Sequence, residues 1–183
     1  MIRRALTLLV NDRLHSLPVQ TVKQELERYL NDHLAGATGA LLVIEHIVSS
    51  MEKPEARDFF TGLKDDVQAD REFLEEILLS ADLEVSNTSK VMGGVTARVG
   101  LFKLMWEGLE PGKLGMFEAL EMLALGVQGK RLLWLALEEI APYYPQWSGH
   151  DFSDLERQAI EQRDGIEQWR LEAARASLTP SRS

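Results

Sequence analysis

The sequence predicts an all-α protein, a bundle of long helices, and three observations carry that expectation. Apolar residues recur three and four apart through five separate stretches, the spacing that lines up one face of a helix. No stretch alternates apolar and polar residues with the period of two that a half-buried strand requires. Proline, glycine and polar turn formers separate the stretches, as helix connections do. A chain of 183 residues suffices for one domain with a sizeable core. It divides into an N-terminal extension over 1–20, a single bundle domain over 21–178 and a fraying tail over 179–183.

The extension, MIRRALTLLVNDRLH onward, carries arginines and the short apolar run ALTLLV. That run is too short for a signal-peptide core, and no small-residue cleavage site follows it. Thr21 then suits an N-cap, with Gln24 three residues on as in a capping box. The first helix runs from about Val22 to Ser49, with the stripe Val22, Leu26, Leu30, His33, Ala37, Ala40, Ile44 and Ile47. Gly36 and Gly39 each cost about 1 kcal/mol in a helix interior. With Ala35, Ala37 and Ala40 they form a thin face that a neighbouring helix is expected to approach closely.

Pro54 suits the first turn of the second helix, whose stripe is Ala56, Phe59, Leu63, Val67, Asp70, Leu74 and Ile77. After the polar break ADLEVSNTSK, Ser86 or Asn87 caps a third helix with the stripe Val91, Val95, Arg98, Phe102 and Met105. Pro111 and Gly112 break the chain before the fourth, from about Lys113 to Ala141, striped by Met116, Leu120, Leu123, Val127, Lys130, Trp134 and Leu137. The connection PYYPQWSGH leads to a fifth, amphipathic helix capped by Ser153 and striped by Leu155, Ala159, Gln162, Ile166, Trp169 and Ala173.

Composition narrows the function classes. The net charge of −9 argues against nucleic acid and against an anionic membrane as partners. The acidity is spread along the helices, as solubility requires. Cysteine is absent, which excludes a disulfide framework, a thiolate nucleophile and a cysteine-based zinc site, and a cytoplasmic location is expected. No apolar stretch approaches the roughly 20 residues that span a bilayer. GGVTARVG lacks the strand-then-helix setting of a phosphate loop.

Each of the first four helices places one ionisable side chain in its apolar stripe: His33, Asp70, Arg98 and Lys130. Each lies about 11 residues from one helix end. In an up-down-up-down bundle all four would fall at one level, roughly 17 Å from that end. An acid, two bases and an imidazole would then form a self-neutralising layer, which a core tolerates better than a lone charge. The bland alternative is that Arg98 and Lys130 snorkel from the edge of the interface. Glu121, Glu118 and Asp66 lie beside the stripes, where a solvated helix face is their ordinary role.

The phrases LNDHLAGATGALLVIEH, FEALEMLALGVQGKRLLWLAL and EQRDGIEQWRLEAARASL resemble an uncharacterised bacterial branch of the ferritin-like superfamily, over roughly residues 22–178. The resemblance implies a ferritin-like four-helix bundle with an added C-terminal helix. In metal-loaded members two helices supply a lone Glu and two supply Glu-x-x-His. Here His33 follows Leu30, His46 follows Val43 and His150 follows Trp147; Asp12-Arg-Leu-His15 precedes Pro18, outside the bundle. Neither motif is present, and Lys130 puts a cation where a ligand would be wanted. A charged ammonium has no lone pair to give, and its charge can stand in for a metal beside Asp70. The superfamily's long crossover falls between its second and third helices, whereas the break at 81–86 is short. The second and third helices are therefore antiparallel, or one end unwinds to make the crossover.

Two functions compete. The first is a metal-free binding, structural or stress-related protein, expected to be a homodimer. The second is a nonstandard oxidase or metal-binding protein holding iron or manganese on His33, Asp66, Asp70 and Glu121. A small-molecule pocket lined by Trp106, Trp134 and Trp169 is a third reading, although aromatic residues at helical spacing are more often plain core.

Overall fold

The computed structural model describes residues 19–86 and 113–180. Among them the chain forms four long α-helices and no strand: α1 Val19–Ser50, α2 Pro54–Ser80, α3 Lys113–Ile140 and α4 Phe152–Leu178. Residues 1–18 of the expected N-terminal extension and the expected third helix, with Arg98 and Trp106, lie outside the described residues, while 19 and 20 already belong to α1.

Two elements begin differently from expectation. The first helix is already under way at Val19, so Thr21 lies inside it and caps nothing. The cap of α4 is Asp151, not Ser153: its carboxylate accepts from the Asp154 backbone N–H at 2.9 Å. Both residue types cap well, and the sequence alone does not choose between two neighbours. Pro54 does open α2, where its missing N–H costs nothing.

Ion pairs and hydrogen bonds give the directions. Glu45 meets Lys64 and Thr38 meets Arg71, so α1 and α2 form an antiparallel hairpin across the tight turn 51–53. Glu121 meets Arg170 and Gln128 meets Arg163, so α3 and α4 form a second one. Asp66 meets Gln162 and Lys53 meets Glu172, which sets α2 antiparallel to α4. It follows that α2 and α3 run parallel, and the connection between them is the long stretch 81–112. The two hairpins stack with α1 on α3 and α2 on α4, while α2 and α3 face each other across the diagonal. The fifth predicted helix is thus no appendage: as α4 it packs along the whole of α3.

The core follows the predicted stripes except at Val22, which is 46% exposed near the start of α1, before the other helices reach it. Leu26, Leu30, Ile44 and Ile47 of α1 are buried with Leu63, Val67, Leu74 and Ile77 of α2, Leu120, Leu123, Val127 and Leu137 of α3, and Ile166 of α4. Phe60 takes the buried place expected of Phe59, which packs half-buried against Gly165 of α4. One end is closed by aromatic side chains. Trp147 is fully buried, stacks on Tyr144 with ring centroids 4.2 Å apart, and donates its indole N–H to Ser80 Oγ at 2.9 Å.

Beyond α2 the chain turns at Asp82, whose φ of 53° is left-handed, a conformation aspartate reaches more readily than most residues. It then returns along α1, held by the buried Asn31. The Asn31 amide donates to the Glu84 carbonyl at 2.9 Å and accepts from the Ser86 N–H at 2.8 Å. No helix among the described residues is long and apolar enough to cross a membrane.

Candidate functional site

At mid-length the bundle carries a polar cluster drawn from three helices. The Lys130 ammonium of α3 donates to Asp70 Oδ2 of α2 and to Gln162 Oε1 of α4. The Gln162 amide nitrogen donates in turn to Asp66 Oδ2 at 3.0 Å. Lys130 therefore spans the diagonal of the bundle to reach Asp70, and Gln162 ties its head group to α2 a second time through Asp66. The pair is largely withdrawn from water, with side-chain exposures of 14% for Lys130 and 13% for Asp70, and Gln162 is 9% exposed. Burial holds the Asp70 carboxyl above the usual carboxylate range; the Lys130 ammonium pulls it back, and the nearby Asp66 charge adds to the rise.

Beside the cluster lies a cavity of about 100 Å³ between α1, α2 and α3. From α1 it is lined by His33, Gly36, Ala37 and Ala40; from α2 by Val67, Asp70, Arg71 and Leu74; from α3 by Gly126, Val127, Lys130, Leu133 and Trp134. The thin face of α1 thus leaves room where close helix contact was expected. A Cβ at Gly36 or Gly126 would meet nothing within 4 Å among the described residues.

His33, Asp70 and Lys130 share this cavity, but not one level. Thr38 beside Arg71 and Glu45 beside Lys64 set Gly39 opposite Asp70, so His33 sits about 9 Å further along α1. The offset is not readable from where each helix starts, because the turn 51–53 fixes the register from the other end. His33 packs edge-on against Tyr29 with ring centroids 4.8 Å apart. Burial lowers its pKa, and the Asp32 charge only partly opposes that, so the ring is neutral near pH 7. Arg71 turns outward to Glu75 at 2.7 Å and to Thr38 at 3.4 Å.

Gln162 is the member that sequence reasoning missed. Its signal was present, a polar residue within the apolar stripe of the last helix. A neutral glutamine carries no charge that needs a partner, and the last helix was expected as an addition to the four-helix bundle.

A metal centre does not fit these residues. Among the described residues no group of three or more His, Cys, Asp and Glu is placed to hold a metal ion. Of the four expected ligands, Asp70 is engaged by Lys130, and Asp66 by Gln162. Glu121 lies about two and a half turns from Lys130 along α3, bound by Arg170 at 2.9 Å. The Arg170 guanidinium also holds Glu167 and lies 5.6 Å from the centre of the Phe117 ring. Trp134, in the cavity wall, is 1% exposed, and its indole N–H has no partner among the described residues.

Set against family models, curated proteins and solved structures, the chain matches none.

Proposed function

We propose that this chain is a bundle of the ferritin-like type whose metal centre is replaced by an ion pair, and that it acts by binding rather than by redox catalysis. The observation that carries this is the Lys130 ammonium at the centre of the bundle, donating to Asp70 and Gln162 at once. A metal needs lone pairs there; an ammonium offers only protons and a fixed positive charge. Asp70 is neutralised from within the chain, so the carboxylate that a cation would use is already taken.

The chain path supports the superfamily reading. Two antiparallel hairpins joined by one long connection, with the second and third helices parallel, is the ferritin-like arrangement among four-helix bundles. Taking the described helices as the four members also removes the difficulty of the short break at 81–86, since the crossover becomes the whole of 81–112.

The test is elemental analysis of the purified full chain after incubation with ferrous or manganous ion, followed by desalting. The expected result is no retained iron or manganese. Retention of a stoichiometric ion by the wild type, lost in His33→Ala or Asp70→Asn, would overturn the reading. A complementary expectation concerns Lys130→Glu, which removes the internal cation and adds a carboxylate beside Asp70 and Asp66. That variant should retain metal if the ammonium is what keeps metal out.

A further inference from the structure

We infer that the cavity between α1, α2 and α3 is a binding site for a small uncharged molecule that is mostly apolar and carries one hydroxyl, of the class of phenols and short alcohols. The inference rests on the metal-free reading above, because it needs Lys130 and Asp70 to neutralise each other.

Size comes first. The space measures about 100 Å³. Apolar protein cavities on the order of 150 Å³ take up a molecule such as benzene. Gly36 and Gly126 are both exposed and both line the cavity, so its mouth lies between α1 and α3, and a ligand slightly larger than the space can extend through it.

Charge comes second. Asp70 is paired with Lys130, and Arg71 with Glu75. The lining therefore presents no net charge to a guest. An ionic guest would leave water without gaining a counter-charge, which is strongly unfavourable. Val67, Leu74, Val127, Leu133 and the carbon atoms of the Trp134 ring favour a hydrocarbon body.

Hydrogen-bonding capacity comes third. Asp70 meets Lys130 through Oδ2, and its Oδ1 accepts from nothing among the described residues. Lys130 makes two donor contacts, and an ammonium has three protons. One acceptor and one donor thus remain on Asp70 and Lys130, both of which line the cavity. A hydroxyl satisfies both, donating to Asp70 and accepting from Lys130. A hydrocarbon of the same shape satisfies neither.

The test is calorimetric titration of the full chain with phenol, 1-butanol, toluene and benzoate, alongside thermal unfolding in each. Phenol should bind and raise the melting temperature, 1-butanol should bind more weakly, and toluene and benzoate should each bind at least about tenfold more weakly than phenol. Gly36→Leu, which places a side chain in the mouth, should remain folded by circular dichroism and lose phenol binding; Gly126→Leu tests the same point from α3. In Lys130→Met/Asp70→Leu the preference for phenol over toluene should disappear. Absence of phenol binding at millimolar concentration by folded wild type would overturn the inference, as would equal binding of benzoate or undiminished binding by both leucine variants. Metal analysis of the same preparation separates the two proposals. A metal-free protein that ignores phenol refutes the ligand alone, whereas a metal-loaded protein refutes the reading beneath it.

Discussion

At the scale of single residues the energetics turn on Asp70 and Lys130. Removing one member of a buried pair strands the other in low dielectric, whereas replacing both by apolar side chains is often neutral. Asp70→Ala is therefore expected to destabilise the fold by about 3 kcal/mol, and Lys130→Met/Asp70→Leu by much less than the sum of the single changes. Denaturant unfolding of the double-mutant cycle checks this; additive effects would mean that the two side chains are solvated independently. His33 gives a pH signature. Its folded pKa lies below the ordinary 6.5 because it is buried, so the unfolded chain binds the proton more readily. Its stabilising contribution is fully present above 6.5 and is lost as pH falls through the window down to the folded value. Tyr29 and Asp32 flank the ring on its own helix, and Asp70, Arg71 and Lys130 line the same cavity. His46, lowered by burial as well, adds a slope of the same sign. His33→Gln should flatten the pH dependence of stability below pH 6.5 without abolishing it, and an unchanged slope would place the titration elsewhere. That His33, Asp70 and Lys130 face inward was legible because each interrupts an apolar stripe of period 3.6. Their partners were not, because register between helices is set by turns and cross-helix contacts that spacing along one helix does not encode.

At the scale of elements the glycines separate into two kinds. Gly36 of α1 and Gly126 of α3 sit in helix interiors with open space around them, so only the intrinsic cost of glycine in a helix applies. Gly36→Ala and Gly126→Ala should each stabilise by up to about 1 kcal/mol. Gly165 of α4 is different: a Cβ there would lie 2.5 Å from the Phe59 ring of α2. Gly165→Ala should cost about 1–3 kcal/mol, since the ring must move and the α2–α4 contact with it. Melting temperatures of the three variants decide the matter, and a destabilised Gly36→Ala would show that α1 is closely covered at that point. Most of the stripe residues of α1 to α4 were readable, though Val22 is exposed and the buried Leu34, Val43, Leu78 and Leu133 flank the stripes. The sign of a glycine's effect was not, because it depends on what stands opposite: Gly36 and Gly165 look alike along the chain, yet one borders a cavity and the other an aromatic ring.

At the scale of the whole molecule, the two hairpins meet more extensively along α1 and α3 than along α2 and α4, so the α2–α4 side leans on contacts at its end. Trp147 is the chief of these end contacts. It sits in the connection between α3 and α4, is fully buried, and donates to Ser80 in the last turn of α2. It also meets Phe152 edge-on with centroids 6.3 Å apart, and Phe152 joins Trp134 and Phe73 in one aromatic group. The second hairpin is thereby fastened to the first by a side chain from a loop that composition alone marks as a mere connection. Trp147→Ala removes a fully buried ring and should cost about 3–5 kcal/mol. Trp147→Phe keeps most of the apolar area but leaves Ser80 without its donor, and should cost about 1–3 kcal/mol. If the tryptophan ties the hairpins together, its loss should also raise hydrogen exchange at the α2 end near Ser80 and not only around residues 144–152. Exchange that rises in the loop alone would mean that the ring stabilises its own connection and that the hairpins associate through the Lys130 cluster without it.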